Sequence, residues 1–172
     1  MKKILILNLI ILFFFTGCAS FKIVSNVIDN ENLVSFKKPL IVITYNGITE
    51  STSKRIENKL QDYYNLTNIN ADFYLLEIKQ DVLKLNEEKK SFIEDLIPIC
   101  DKNKNDGIIF FKYDKYNYGA YGVSFTQETF AINKDTRKVT WRAMGYTNFD
   151  GIKKYCEEIT DRMILEKVIQ NY

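Results

Sequence analysis

Apolar residues in this chain alternate between short runs and helical stripes, and the alternation predicts a small α/β domain. Leu40 to Tyr45 (LIVITY) is a β-branched run after Pro39, the pattern of a strand buried on both faces. Asn46-Gly47 supplies a turn. Thr49 or Ser51 can then cap a helix reaching Asn65, with Ile56, Leu60, Tyr63 and Tyr64 on one stripe. Ala71 to Lys79 (ADFYLLEIK) predicts a second strand. A second helix over about Asn86 to Lys102 lines up Phe92, Ile93, Leu96, Ile97 and Cys100, and Pro98 inside it predicts a kink or break near Ile97. Ile108 to Tyr116 is a third apolar strand, Asn117 to Gly122 a turn, and Tyr121 to Asn133 an alternating fourth strand. Asn133 to Lys138 closes a hairpin onto a fifth, Val139 to Tyr146. Asp150 can cap a last helix to about Gln170, carrying Ile152, Cys156, Ile159 and Met163 on one face.

The order β-α-β-α-β-β-β-α gives two right-handed crossovers and two hairpins, so the expected sheet is five-stranded and mixed, packed with three helices. A consistent strand order is 2-1-3-4-5, with strand four antiparallel to the rest. The class is α/β, bordering on α+β, in a single domain over residues 39–172. Phe21 to Lys38 shows no sustained period and is expected as a tether, with room for a short strand at Phe21 to Ser25.

The amino terminus has a different pattern. Lys2 and Lys3 precede an apolar run from Ile4 to Phe15 broken only by Asn8, followed by Thr16-Gly17-Cys18. A charged start, a short apolar stretch and a small residue are the parts of a secretory signal, too short to span a bilayer as a mature helix. The ending Phe15-Thr16-Gly17-Cys18 resembles the lipobox of bacterial lipoproteins, with Phe15 where leucine is usual. The resemblance implies that residues 1–17 are removed and that Cys18 carries acyl chains of the palmitate kind, so that residues 18–38 form a lipidated tether. Two or three chains hold a protein stably where one does so marginally, at about 0.8 kcal/mol per buried methylene. Ala19 and Ser20 lack the aspartate associated with inner-membrane retention, which favours the outer membrane; its periplasmic and surface faces both stay open.

Composition narrows the chemistry. The chain has 172 residues, 46% hydrophobic and 14% aromatic, enough for one real core. It has no histidine, which removes histidine-based triads, histidine metal ligands and imidazole switches. The formal charge of +2 disappears with Lys2 and Lys3, and a neutral mature chain argues against nucleic acid as a partner.

Candidate sites follow from the remaining polar and aromatic clusters. Asp101 to Gly107 approaches a calcium loop, but its glycine comes one position late and Lys112 stands where a bidentate glutamate belongs, so a polar helix-to-strand turn is expected. Cys100 and Cys156 can either close a disulfide between two helices on one sheet face or be buried independently. Tyr113, Tyr116, Tyr118 and Tyr121 crowd the turn between the third and fourth strands. In the expected order this turn lies beside Tyr45 and Asn46, where strand order reverses and open α/β sheets bind ligands. Tyr45, Asn46, Tyr116, Tyr118 and Tyr121 are therefore the candidate partner surface, weighed against ordinary hairpin packing. Gly119-x-x-Gly122 lacks the lysine of a phosphate loop, and Ser124 lacks the glycines of a nucleophile elbow. No catalytic, cofactor or metal residues are assigned.

A second resemblance covers about Leu40 to Tyr172. The strand entry NDGIIFFK at Asn105 to Lys112 and the hairpin INKDTRKVTWRA at Ile132 to Ala143 resemble small bacterial envelope lipoproteins. Their domains are similar to the amino-terminal domain of TolB and to the periplasmic part of curli-secretion lipoproteins. The resemblance supplies no catalytic residue and implies a role in envelope assembly or partner binding. The expectation is a non-catalytic binding or assembly module, attached to the membrane through Cys18 and meeting an envelope protein partner. The alternatives are a structural lipoprotein without a defined partner and an enzyme that works without histidine.

Overall fold

The computed structural model describes residues 21–78, 85–119 and 122–171, so Cys18 and Tyr121 lie outside the described residues. Nine elements follow in order: β1 (Phe21–Val27), β2 (Leu40–Tyr45), α1 (Glu50–Leu66), β3 (Asp72–Glu77), α2 (Leu85–Asn103), β4 (Gly107–Gly119), β5 (Gly122–Asn133), β6 (Val139–Asn148) and α3 (Ile152–Leu165). The strands form one mixed sheet in the order β1-β6-β5-β4-β2-β3. β2 is parallel to β3 and β4, whereas the β4–β5, β5–β6 and β1–β6 pairs are antiparallel. The α/β class and the sequence of strands from β3 to β6 follow the pattern of the chain.

The expected five strands are six, because β1 pairs with β6 from Phe21↔Thr147 to Val27↔Trp141. The short strand for which Phe21 to Ser25 left room is present and runs on to Val27, so the start of the segment expected as a tether belongs to the sheet. Its polar residues disguise it. Among the residues there whose burial is described, Ile23 and Phe36 are the buried ones, and an edge strand needs few apolar side chains. Phe36 pairs in parallel with Ile169 beyond α3, and its ring lies so close to Gly107 that a Cβ at Gly107 would meet it at 2.2 Å.

Alternation along β2 and β4 divides the core. Ile41, Ile43, Ile109 and Phe111 face α1 and α3, joined by Ile56, Leu60, Tyr64, Trp141, Tyr155, Ile159 and Met163. Leu40, Val42, Ile108 and Phe110 face the other way with Leu96 and Cys100 of α2. The sheet therefore stands between Cys100 and Cys156, and both thiols are free and buried. The disulfide alternative is corrected accordingly: the two helices pack on opposite faces, not on one.

Two helix boundaries also differ from expectation. α2 continues through Pro98, which lies on the exposed side of the helix where water can serve the carbonyl that the missing N–H leaves free. α3 ends at Leu165 because Lys167 turns left-handed (φ 59), sending Val168 and Ile169 into the core beside Phe36. Its start is held by Asn148, whose side-chain oxygen accepts from the Gly151 N–H at 2.9 Å.

Candidate partner-binding site at the carboxyl ends of the strands

β2 leaves the sheet at Tyr45 and enters α1 through Asn46. The Asn46 side-chain oxygen accepts from the N–H groups of Ile48 (3.0 Å) and Thr49 (3.1 Å), and the Asn46 N–H donates to the Thr49 hydroxyl at 2.9 Å. This self-contained turn fixes the helix start, so the Asn46 amide oxygen has a structural task in place of a free recognition role. Tyr45 is half-buried, and its carbonyl accepts from Ile78 at 2.7 Å.

β4 carries its tyrosines past the end of β2 and leans them onto α1. A bulge between Tyr113 and Lys115 restores the inward side so that both Tyr113 and Tyr116 pack against the α1–α3 core. The Tyr116 hydroxyl is 3.2 Å from that of Thr52, and the Tyr113 hydroxyl is 3.3 Å from that of Ser53, which donates to the Thr44 carbonyl at 3.0 Å. The rings of Tyr116 and Tyr113 meet edge to face at 5.9 Å, Tyr113 and Phe125 at 5.2 Å, and Phe125 and Tyr155 at 6.4 Å. Burial pushes the Tyr113 and Tyr155 phenols well above their ordinary range, so both stay protonated at physiological pH. Of the candidate surface, the fold brings Tyr45, Asn46 and Tyr116 to one end of the sheet. Tyr118 lies on β4 at the same end, with its side chain outside the described residues, as is all of Tyr121.

Below the aromatic column lies a polar interior that the sequence analysis does not single out. Gln127 is fully buried between Tyr113 on β4 and Gly145 on β6. Among the described residues neither end of its amide finds a hydrogen-bond partner, and the Thr129 and Tyr155 hydroxyls are likewise unpaired. The Tyr155 ring lies on Gly145, where a Cβ would meet it at 2.3 Å. The signal was present in the period of β5: if Phe125 points inward, Gln127 and Thr129 must do so too.

The loop with a partial calcium pattern serves as a clasp. The Asp106 carboxylate accepts from the Lys37 and Lys38 N–H groups at 2.6 and 3.0 Å, and Asn105 donates to the Asp72 carboxylate at 3.0 Å. Lys38 completes it with a 2.9 Å ion pair to Asp72. Among the described residues no group of three cysteine or carboxylate side chains is placed to hold a metal, and no helix is long and apolar enough to cross a membrane. A shallow groove of about 500 Å³ runs between α1 and α3 past Lys59, Asp62, Tyr63, Lys153 and Glu157. There Tyr63 donates to Asp161 at 2.7 Å, which pushes its phenol up to about 12.

No family model matches the sequence, and neither does any curated protein. Among solved structures, the PelC dodecamer from Paraburkholderia phytofirmans is similar over 88% of this chain and 100% of that chain, at 11% identity and a TM-score of 0.53. A single-substitution PelC dodecamer from the same organism gives 11% identity and a TM-score of 0.51 over 87% of this chain and 97% of that one. Lipoprotein GNA1162 from Neisseria meningitidis overlaps more loosely, at 8% identity and a TM-score of 0.36 over 74% of this chain and 99% of that one. At these identities the likeness concerns backbone architecture, and the chain shares the fold of PelC.

Proposed function

We propose that this chain is a bacterial envelope lipoprotein, anchored through acyl chains on Cys18, that acts as a non-catalytic binding or assembly module. The observation that carries the proposal is the Phe15-Thr16-Gly17-Cys18 pattern, which ends three residues before the first strand of a domain without an assembled catalytic constellation among its described residues. The shared fold with PelC supports it, as does the resemblance to TolB-like and curli-secretion domains. The PelC structures are dodecamers, so a second copy of this chain is one of the partners to be looked for. The partner surface of the proposal is the end of the sheet that carries Tyr45 and Tyr116, with Tyr118 beside them.

Two measurements on cells test it. Labelled palmitate should enter the protein and be lost on Cys18→Ala. Photo-crosslinking residues at positions 45 and 118 should capture an envelope protein or a second copy, whereas one at exposed Lys102 should not. Absence of label would remove the anchor, and equal capture at all three positions would remove the binding surface.

A further inference from the structure

The first described strand begins three residues after Cys18, and three residues span at most about 11 Å. If Cys18 is lipidated, the Phe21 end of β1 must lie within that distance of the bilayer. The rung nearest this end on the side away from α1 and α3 reads Lys22, Tyr146, Thr126 and Lys115 across β1, β6, β5 and β4. The next reads Val24, Met144, Glu128 and Lys112. Among the described residues, the cluster that α2 forms on this side of the sheet takes in β2, β4, Leu76 of β3, the far end of β5 and Val139 at the start of β6. Here Val24 is 60% exposed, Met144 40% and Tyr146 41%. Arg142 stands in the third rung with its Nε 3.0 Å from the Glu128 carboxylate.

From this juxtaposition we propose that the outward face of β1-β6-β5-β4 lies against the anionic headgroups of the bilayer that carries the anchor. The proposal rests on the anchor reading above and adds to it an orientation. Its two supports are independent. The short reach from Cys18 leaves no slack for the domain to turn this end away. The chemistry of the face also suits a headgroup layer: Lys22, Lys112, Lys115 and Arg142 stand against Glu128, and two exposed apolar side chains with an amphipathic tyrosine lie between them. Exposed apolar groups in an edge strand and its neighbour would otherwise invite strand pairing or aggregation, and a headgroup layer covers them. The opposite side of the domain, with α1, α3 and their groove, then faces away from the membrane.

The test uses the full-length lipidated protein in vesicles of phosphatidylethanolamine and phosphatidylglycerol with a nitroxide on a fraction of the headgroups. A fluorophore is attached through Val24→Cys, Met144→Cys or, on the far side, Lys54→Cys; buried Cys100 and Cys156 leave the introduced thiol as the accessible one. Quenching at 24 and 144 should exceed that at 54 by several-fold. The Lys22→Glu/Lys115→Glu variant, which reverses the charge at two exposed positions only, should bring quenching at 24 and 144 down towards the level at 54. Equal quenching at the three positions with palmitate present on Cys18 overturns the orientation and leaves the anchor standing. Lack of palmitate on Cys18 overturns both. Fluorophores at 24 and 144 that are shielded in detergent by a second copy, and are not quenched in vesicles, assign the face to self-association and overturn the proposal.

Discussion

The indole N–H of Trp141 donates to the carboxylate of Glu166 at 2.5 Å, and the other oxygen of that carboxylate accepts from Ser25 at 2.5 Å. One side chain just beyond α3 thus ties together the edge strand β1, its neighbour β6 and the helix that covers them. Trp141 is fully buried, so removing the acceptor strands a donor in the core. Glu166→Ala should cost about 1–3 kcal/mol, read as a lower urea midpoint with unchanged slope. Ser25→Ala, which removes a half-buried partner, should cost less than Glu166→Ala.

Gly107 and Phe36 make the second stability prediction. Gly107→Ala places a methyl group inside the Phe36 ring, and Phe36→Ala empties a fully buried position. The second should cost about 3–5 kcal/mol. The double variant should be less destabilised than the sum of the two, because the clash disappears with the ring. Thermal unfolding of the four proteins measures both effects.

Replacement of Gln127 should have the opposite sign. Its buried amide makes no hydrogen bond among the described residues, so Gln127→Met removes an unpaid desolvation cost at nearly constant volume. Stability should rise or stay level, by up to about 1–2 kcal/mol. A loss of more than that would mean that the amide is satisfied in solution, and calorimetry decides between the two.

Alkaline pH should destabilise the fold. Burial pushes Cys100 up from 9.0 to about 11 and raises Cys156, Tyr64, Tyr113 and Tyr155 further. All five are neutral acids whose folded pKa exceeds the unfolded one. Their contribution is complete below about pH 9 and is lost as pH rises through the folded values. The urea midpoint should fall across pH 9 to 11, and absorbance near 295 nm should show fewer ionised tyrosines at pH 11 in the native than in the unfolded protein. Cys100 and Cys156 should react with a thiol reagent only on unfolding, and added reductant should leave the melting temperature unchanged.

The sequence was legible where burial is periodic. LIVITY, ADFYLLEIK and the β5–β6 hairpin carry their own register, and the two crossovers leave few topologies for the strands between β3 and β6. It was less legible where tertiary context outweighs local pattern. β1 mixes Lys22, Ser25 and Asn26 with its apolar residues because one face is open, and its identity as a strand depends on β6 far along the chain. The end of α3 depends on where Phe36 sits, and the fate of the cysteines on which sheet face each helix covers. The candidate site was half visible: spacing brings Tyr45, Asn46 and Tyr116 together, but it does not show that Asn46 is occupied by its own turn or that Tyr116 rests on Thr52.

The pairing of β1 with β6 also orders events in time. Phe21 finds its partner in Thr147, so the first described strand cannot be placed until β6 has been made. Until β1 pairs, β6 has an open edge and the Trp141 indole waits for both Ser25 and Glu166. A contact between such distant parts of the chain is slow to close. Trapping of β1 in any competing contact should therefore leave the domain without its edge strand and with β6 open.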